Sequence, residues 1–140
     1  MDLEKLKKLR KRRMEQCFIE LQTQRQILAD WQINVRQKEQ QLADFQLWRL
    51  THQDALFASL QNQPFNPAML MHYHAELEEF RKQEEALRGE LNAIYQSLQA
   101  ANAQVEVARQ HSSQANIKLE KLKEIIQLHD GKKPSEELAQ

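Results

Sequence analysis

The sequence predicts an all-α protein: two long helices that form an antiparallel coiled-coil hairpin. Three observations carry that expectation. The 140 residues contain only 2 Gly and 3 Pro, and Pro64 and Pro67 stand together near the midpoint. The chain is 41% hydrophobic but only 6% aromatic, with 29% charged residues. That usage, rich in Leu, Ala, Glu, Lys, Arg and Gln, is the usage of long helices rather than of a mixed α/β domain. The second half then repeats apolar residues with a spacing of three and four, the signature of a coiled-coil seam.

Helix 1 is expected over residues 3–61, with Asp2 as its N-cap. A heptad reading puts Met14, Leu21, Leu28, Val35, Leu42 and Leu56 at a, interrupted by Arg49. The d row is half polar: Cys17, Gln24, Trp31, Lys38, Phe45, His52 and Ser59. From Phe45 onward Leu47, Trp48, Leu50, Phe57 and Leu60 fall outside this pattern. Either the register shifts there by a stutter, or a second apolar stripe serves another partner.

The tip is expected at 62–66. Pro64 disfavours helical geometry at Gln63, Asn66 is a favoured N-cap, and Pro67 fits the first helical position, where a missing N–H is no loss. Phe65 and Leu70 have the spacing of a hydrophobic staple. Helix 2 is expected over 67–130. Its a positions run from Leu70 to Ile126 and its d positions from Tyr73 to His129, broken by Glu84, Ser112 and His129 alone. Gly131 offers a helix stop and Pro134 follows it, so 131–140 reads as a flexible tail. The whole of 1–140 reads as a single domain, in which residue i of helix 1 should face a residue near 130 − i of helix 2.

Chemistry is hard to find. Two helices side by side enclose a seam but no cavity, which leaves little room for a buried active site. His72 and His74 are two apart, whereas ligands on one helix face need three or four. Cys17 at a d position reads as a small apolar knob, and a single cysteine excludes an internal disulfide. The carboxylates Glu76, Glu78, Glu79, Glu84 and Glu85 read as a solvated face partnered by Arg81, Lys82 and Arg88. There is no phosphate-cradling glycine loop, apolar leader or membrane span. The expectation is a soluble, non-enzymatic protein with no catalytic residue, metal or cofactor, a monomer on its own.

Two surfaces stand out. Residues 1–13 carry Lys5, Lys7, Lys8, Arg10, Lys11, Arg12 and Arg13 against Asp2 and Glu4. Cations in the first turns oppose the helix macrodipole, so this is either a solvated helix end or a face for an acidic partner. The second surface is the apolar excess around the tip: Phe45, Leu47, Trp48, Leu50, Phe57, Phe65, Met69, Met71 and Tyr73. It is either self-packing of a wider tip or a binding site.

A hairpin of this length with the opening Lys-Leu-Arg-Lys-Arg-Arg at 8–13 resembles the FliJ/YscO family, the central-stalk proteins of flagellar and virulence-associated type III secretion systems. The resemblance implies a cytoplasmic bacterial protein, peripheral to the secretion apparatus, whose terminal end enters the ring of a hexameric export ATPase. Its remainder would reach the cytoplasmic domain of the export gate and engage substrate chaperones. Carried onto this chain, Lys5, Lys8, Arg10, Lys11, Arg12 and Arg13 would contact the ATPase. Phe45, Trp48, Phe57, Phe65, Met69, Met71 and Tyr73 would contact the gate or a chaperone. Two other readings of the residues stay open. One is a free-standing coiled-coil scaffold, favoured by a stable homodimer through helix 2. The other is a nucleic-acid-binding arm, disfavoured by a net charge of +0 and separable by the salt dependence of RNA binding.

Overall fold

A computed structural model describes residues 2–64 and 66–139, with side chains described as far as Gly131. Two helices account for nearly all of them, α1 over Leu3–Gln61 and α2 over Pro67–Ala139, with no strand among the described residues. The fold is an antiparallel helical hairpin.

Both helix starts are capped by side chains. Asp2 Oδ1 accepts from the Glu4 amide at 3.0 Å, and Asn66 Oδ1 accepts from the Ala68 amide at 3.0 Å. Each satisfies one of the amides that a helix N-terminus leaves without an intrahelical partner. Between them, the Gln63 amide donates to the Leu60 carbonyl at 3.4 Å and closes the last turn of α1. Phe65, and with it the expected staple to Leu70, lies outside the described residues.

One expectation is overturned. α2 does not stop at residue 130 but continues through Gly131 and Pro134 to Ala139. Gly131 does not take the left-handed φ that a C-terminal glycine cap requires,. A proline inside a helix forfeits one backbone hydrogen bond, whereas the Lys, Glu, Leu and Ala around it are good helix formers.

The chain divides into two packed units along its length. Unit 1 comprises 1–29 and 100–140. Leu21, Val105 and Ala108 form its buried centre, with Leu28 packed against them. Ala101, Ala108 and Ala115 follow one another at d on α2 and are all buried; small residues there let the helices approach closely. Leu119 and Leu122 are each only 2% exposed. Of the thirteen buried apolar residues, nine belong to this unit.

Unit 2 comprises 30–99 and holds the other four, Val35, Leu42, Phe80 and Leu91. Its cross-helix partners are Lys38 with Glu90, Arg49 with Glu84, Trp48 with Phe80 and Phe57 with Tyr73. Their numbers sum to 128, 133, 128 and 130, the antiparallel register expected of a turn at Pro64. The α2 heptad pattern holds in both units. On α1 the a row continues through Arg49 and Leu56, but past Arg49 the d row is lost. Gln46, Arg49, Gln53, Leu56 and Leu60 are half-buried, whereas His52 and Ser59 are exposed. Leu42 and Gln53 are eleven residues apart, the length of a heptad plus a four-residue stutter.

Two outcomes follow from this seam. Leu119→Ala should cost about 2–5 kcal/mol, while Gln96→Ala on the exposed face is near neutral; paired thermal melts followed by circular dichroism check the difference. Cys17, 7% exposed and beside Ala108 and His111 of α2, should resist mild oxidation and dithionitrobenzoate until the protein unfolds. A rapid, quantitative Cys17-linked dimer would contradict the hairpin.

Candidate functional site

The basic segment belongs to unit 1. It begins just inside the Asp2 cap, so its cations project from the first three turns of α1. Lys5, Lys8, Lys11, Arg12 and Arg13 are exposed. Arg10 differs: it is half-buried, and its guanidinium donates to the Lys118 carbonyl of α2 at 3.1 Å. That bond ties the segment to α2 and leaves its neighbours free to meet another molecule. Arg13 also edges a cleft of about 260 Å³ that includes Gln16, Cys17, Glu20 and His111. Unit 1 as a whole has fourteen Lys and Arg against ten Asp and Glu, net +4.

Unit 2 has the opposite sign, six cations against ten carboxylates, net −4. Its expected apolar site divides into three groups. Phe45, Trp48 and His52 stack along one flank of α1, with Trp48 to His52 at 4.6 Å, and Trp48 meets Phe80 edge-on at 5.1 Å. Much of that surface is the protein's own packing, although Trp48 stays 45% exposed. Met69 and Tyr73 join Leu56, Leu60 and His72 around an apolar hollow of about 260 Å³ beside the tip. Phe57 and Met71 are open to solvent, 52% and 73% exposed, and Phe57 lies 6.4 Å from Tyr73 between ring centroids. Phe65 lies outside the described residues.

Sequence reasoning read Arg49 as a break in one apolar row, and Glu84 both as a break in the other and as part of a solvated carboxylate face. For Glu84 the second reading is corrected, since its side chain is largely buried. The structure brings Arg49 and Glu84 together at 3.5 Å, each about four-fifths buried at the side chain, with Arg88 on the other side of the same carboxylate. Two charged residues of opposite sign at a positions, one on each helix, are the signal that could have paired them. Nearby, Arg81 clasps Glu78 at 2.7 Å and Glu85 at 2.8 Å. The hydrogen bond from Arg81 holds the Glu78 carboxyl below its usual range. A depressed carboxylate stabilises the fold above its unfolded pKa, and that contribution is lost as pH falls through the lowered value. Both groups are exposed, so the effect is small. The apolar residues exposed on unit 1, including Ile19, Ile117, Ile125 and Leu128, were missed altogether; their position outside the heptad rows was the available sign.

No group of three or more metal-binding side chains occurs among the described residues, and no described helix is long and apolar enough to cross a membrane. What the geometry provides is exposed cations in one unit and exposed apolar side chains in the other of a two-helix hairpin, which is the class of helical-hairpin coiled-coil proteins. The chain belongs to the type III secretion YscO family, whose profile, "Type III secretion protein YscO", it matches over residues 1–140. It is also similar in fold to the crystal structure of the type III secretion protein YscO from Vibrio parahaemolyticus, with a TM-score of 0.79 and 22% identity, covering 98% of this chain and 89% of that one. No curated protein sequence matches the chain.

The polar half of the seam yields a test. Gln53 is half-buried at a stuttered seam position, so Gln53→Leu should stabilise the protein by about 1 kcal/mol through added apolar burial. Urea unfolding of the two proteins measures it. Unchanged or lowered stability would mean that the seam does not pass through Gln53.

Proposed function

We propose that this chain is a non-enzymatic, cytoplasmic central-stalk or adaptor component of a type III secretion apparatus. The basic segment around Lys5, Lys8, Arg10, Lys11, Arg12 and Arg13 engages the acidic bore of a hexameric export ATPase. The apolar residues of unit 2 engage the cytoplasmic domain of the export gate or a substrate chaperone. The observation that carries this reading is the separation of two chemistries: net +4 with exposed cations in one unit, net −4 with exposed apolar side chains in the other. A scaffold needing one partner would have no use for both. Family membership supplies the secretion context.

Neutralising Lys8, Lys11, Arg12 and Arg13 together to glutamine should weaken capture by the purified ATPase and remove most of its salt dependence, since exposed charges are screened over about 10 Å in ~0.1 M salt. Arg10 is spared because of its bond to Lys118. Phe57→Ser with Met71→Ser should leave ATPase capture intact and reduce capture by the gate domain or chaperone. Pull-downs with each purified partner, alongside circular dichroism, read both. Full-strength ATPase capture by the neutralised variant would end the stalk assignment.

A further inference from the structure

Past Leu42, α1 turns a largely polar row into the seam and leaves an apolar row outside it. The seam takes Gln46, Arg49, Gln53, Leu56 and Leu60, several of them polar. Beside it, Leu47, Leu50 and Phe57 are left 68%, 61% and 52% exposed. With Ala43 and Asp54 they follow one another at intervals of four, three, four and three residues, so they form one line roughly a quarter-turn round the helix from the seam. The line from Leu47 to Phe57 is about 15 Å long at 1.5 Å per residue. Its alternation of four and three residues is the seam pattern along which a second helix can pack lengthwise.

The charges on this stretch are one-sided. Between Gln40 and Gln61, α1 carries Asp44 and Asp54 and a single Lys or Arg, Arg49, which is turned into the seam against Glu84. Asp54 stands within the stripe, between Leu50 and Phe57, and has no ion pair among the described residues. A partner that covered Leu50 and Phe57 would bring its own flanking groups against that carboxylate. Desolvated beside a neutral or acidic group, Asp54 would oppose binding; beside Lys or Arg it would form a charge-assisted hydrogen bond.

We propose that Leu47, Leu50 and Phe57 are the docking site for an amphipathic helix whose apolar face is edged by lysine or arginine. The proposal rests on the reading that the apolar surface of unit 2 receives a second partner, and it names that partner's chemistry. A second copy of this chain is the competing occupant: its exposed Leu9 lies among the exposed cations Lys5, Lys8, Arg12 and Arg13, whereas its stripe of Ile117, Ile125 and Leu128 mixes Glu120 and Glu124 with Lys118 and Lys121. The sedimentation arm of the test separates it from a different partner.

The test uses the full-length protein and a fluorescein-labelled helical peptide of about 18 residues, roughly 27 Å long. The peptide carries leucines at three- and four-residue spacing with lysine flanks; a twin carries glutamate in place of every lysine. Fluorescence anisotropy at low salt should show binding of the lysine peptide and little of the twin. Leu50→Ser should lower the affinity at least about tenfold, and Asp54→Lys should shift the preference towards the glutamate twin. Ile19→Ser, on unit 1, should change nothing, and circular dichroism confirms that each variant is folded. Equal binding of the two peptides, full binding by Leu50→Ser, or sedimentation of the protein alone as a dimer that Leu50→Ser dissociates would overturn the proposal. Loss of the peptide with undiminished capture of the gate domain and chaperone would leave the docking site standing and sink the reading that it serves those partners.

Discussion

The strip where α1 meets α2 is the one place this chain can bury apolar surface, and everything else in the structure answers to it. In unit 1 the strip is built well. Alanines at successive d positions draw the backbones together, and Leu119, Leu122 and Ile126 fill the remaining space. In unit 2 it is a compromise: glutamines and an arginine lie where leucines would bury more. The half-buried Arg49–Glu84 pair adds little to stability once the desolvation of both charges is counted. Its better-attested use is in registry. Slipping α1 by a turn would strand two partly buried charges, whereas a slip within a uniform leucine seam would be tolerated.

Legibility in the sequence followed how local the physics was. The caps at Asp2 and Asn66 depend on a side chain and an amide two residues away, and both read off directly. The α2 pattern was legible because one row of residues dominates for nine heptads. On α1 past Leu42 there was no such dominance. Two rows run side by side, the one turned into the seam being the more polar of the two, and only the facing helix decides which is buried. For the same reason Trp48 could not be told from Phe57: Trp48, with Phe45 stacked on it, meets Phe80 edge-on across the seam, and that meeting is invisible in one dimension. The end of α2 was misread because Gly131 and Pro134 are strong local signals that neighbouring helix formers outweighed.

The two surfaces also act over different distances. The cations of unit 1 exert a field felt by a partner before contact, and so govern how fast and in what orientation an encounter forms. The apolar residues of unit 2 act only on touching, and so govern how long a complex lasts. A component with both can be gathered quickly at one site and held selectively at another, and the two properties can be tuned by independent substitutions.

The uneven core has a consequence for motion. With four buried apolar residues in unit 2 against nine in unit 1, resistance to opening is not shared equally along the hairpin. Regions with few buried apolar contacts open first, as partial units and well below the free energy of global unfolding. Backbone amides on either side of Pro64 should therefore exchange with solvent deuterium long before those around Leu119. A ligand that holds residues 43–61 together would slow that exchange in unit 2 without touching unit 1. Part of its binding energy would go into ordering a segment that the hairpin alone keeps loose.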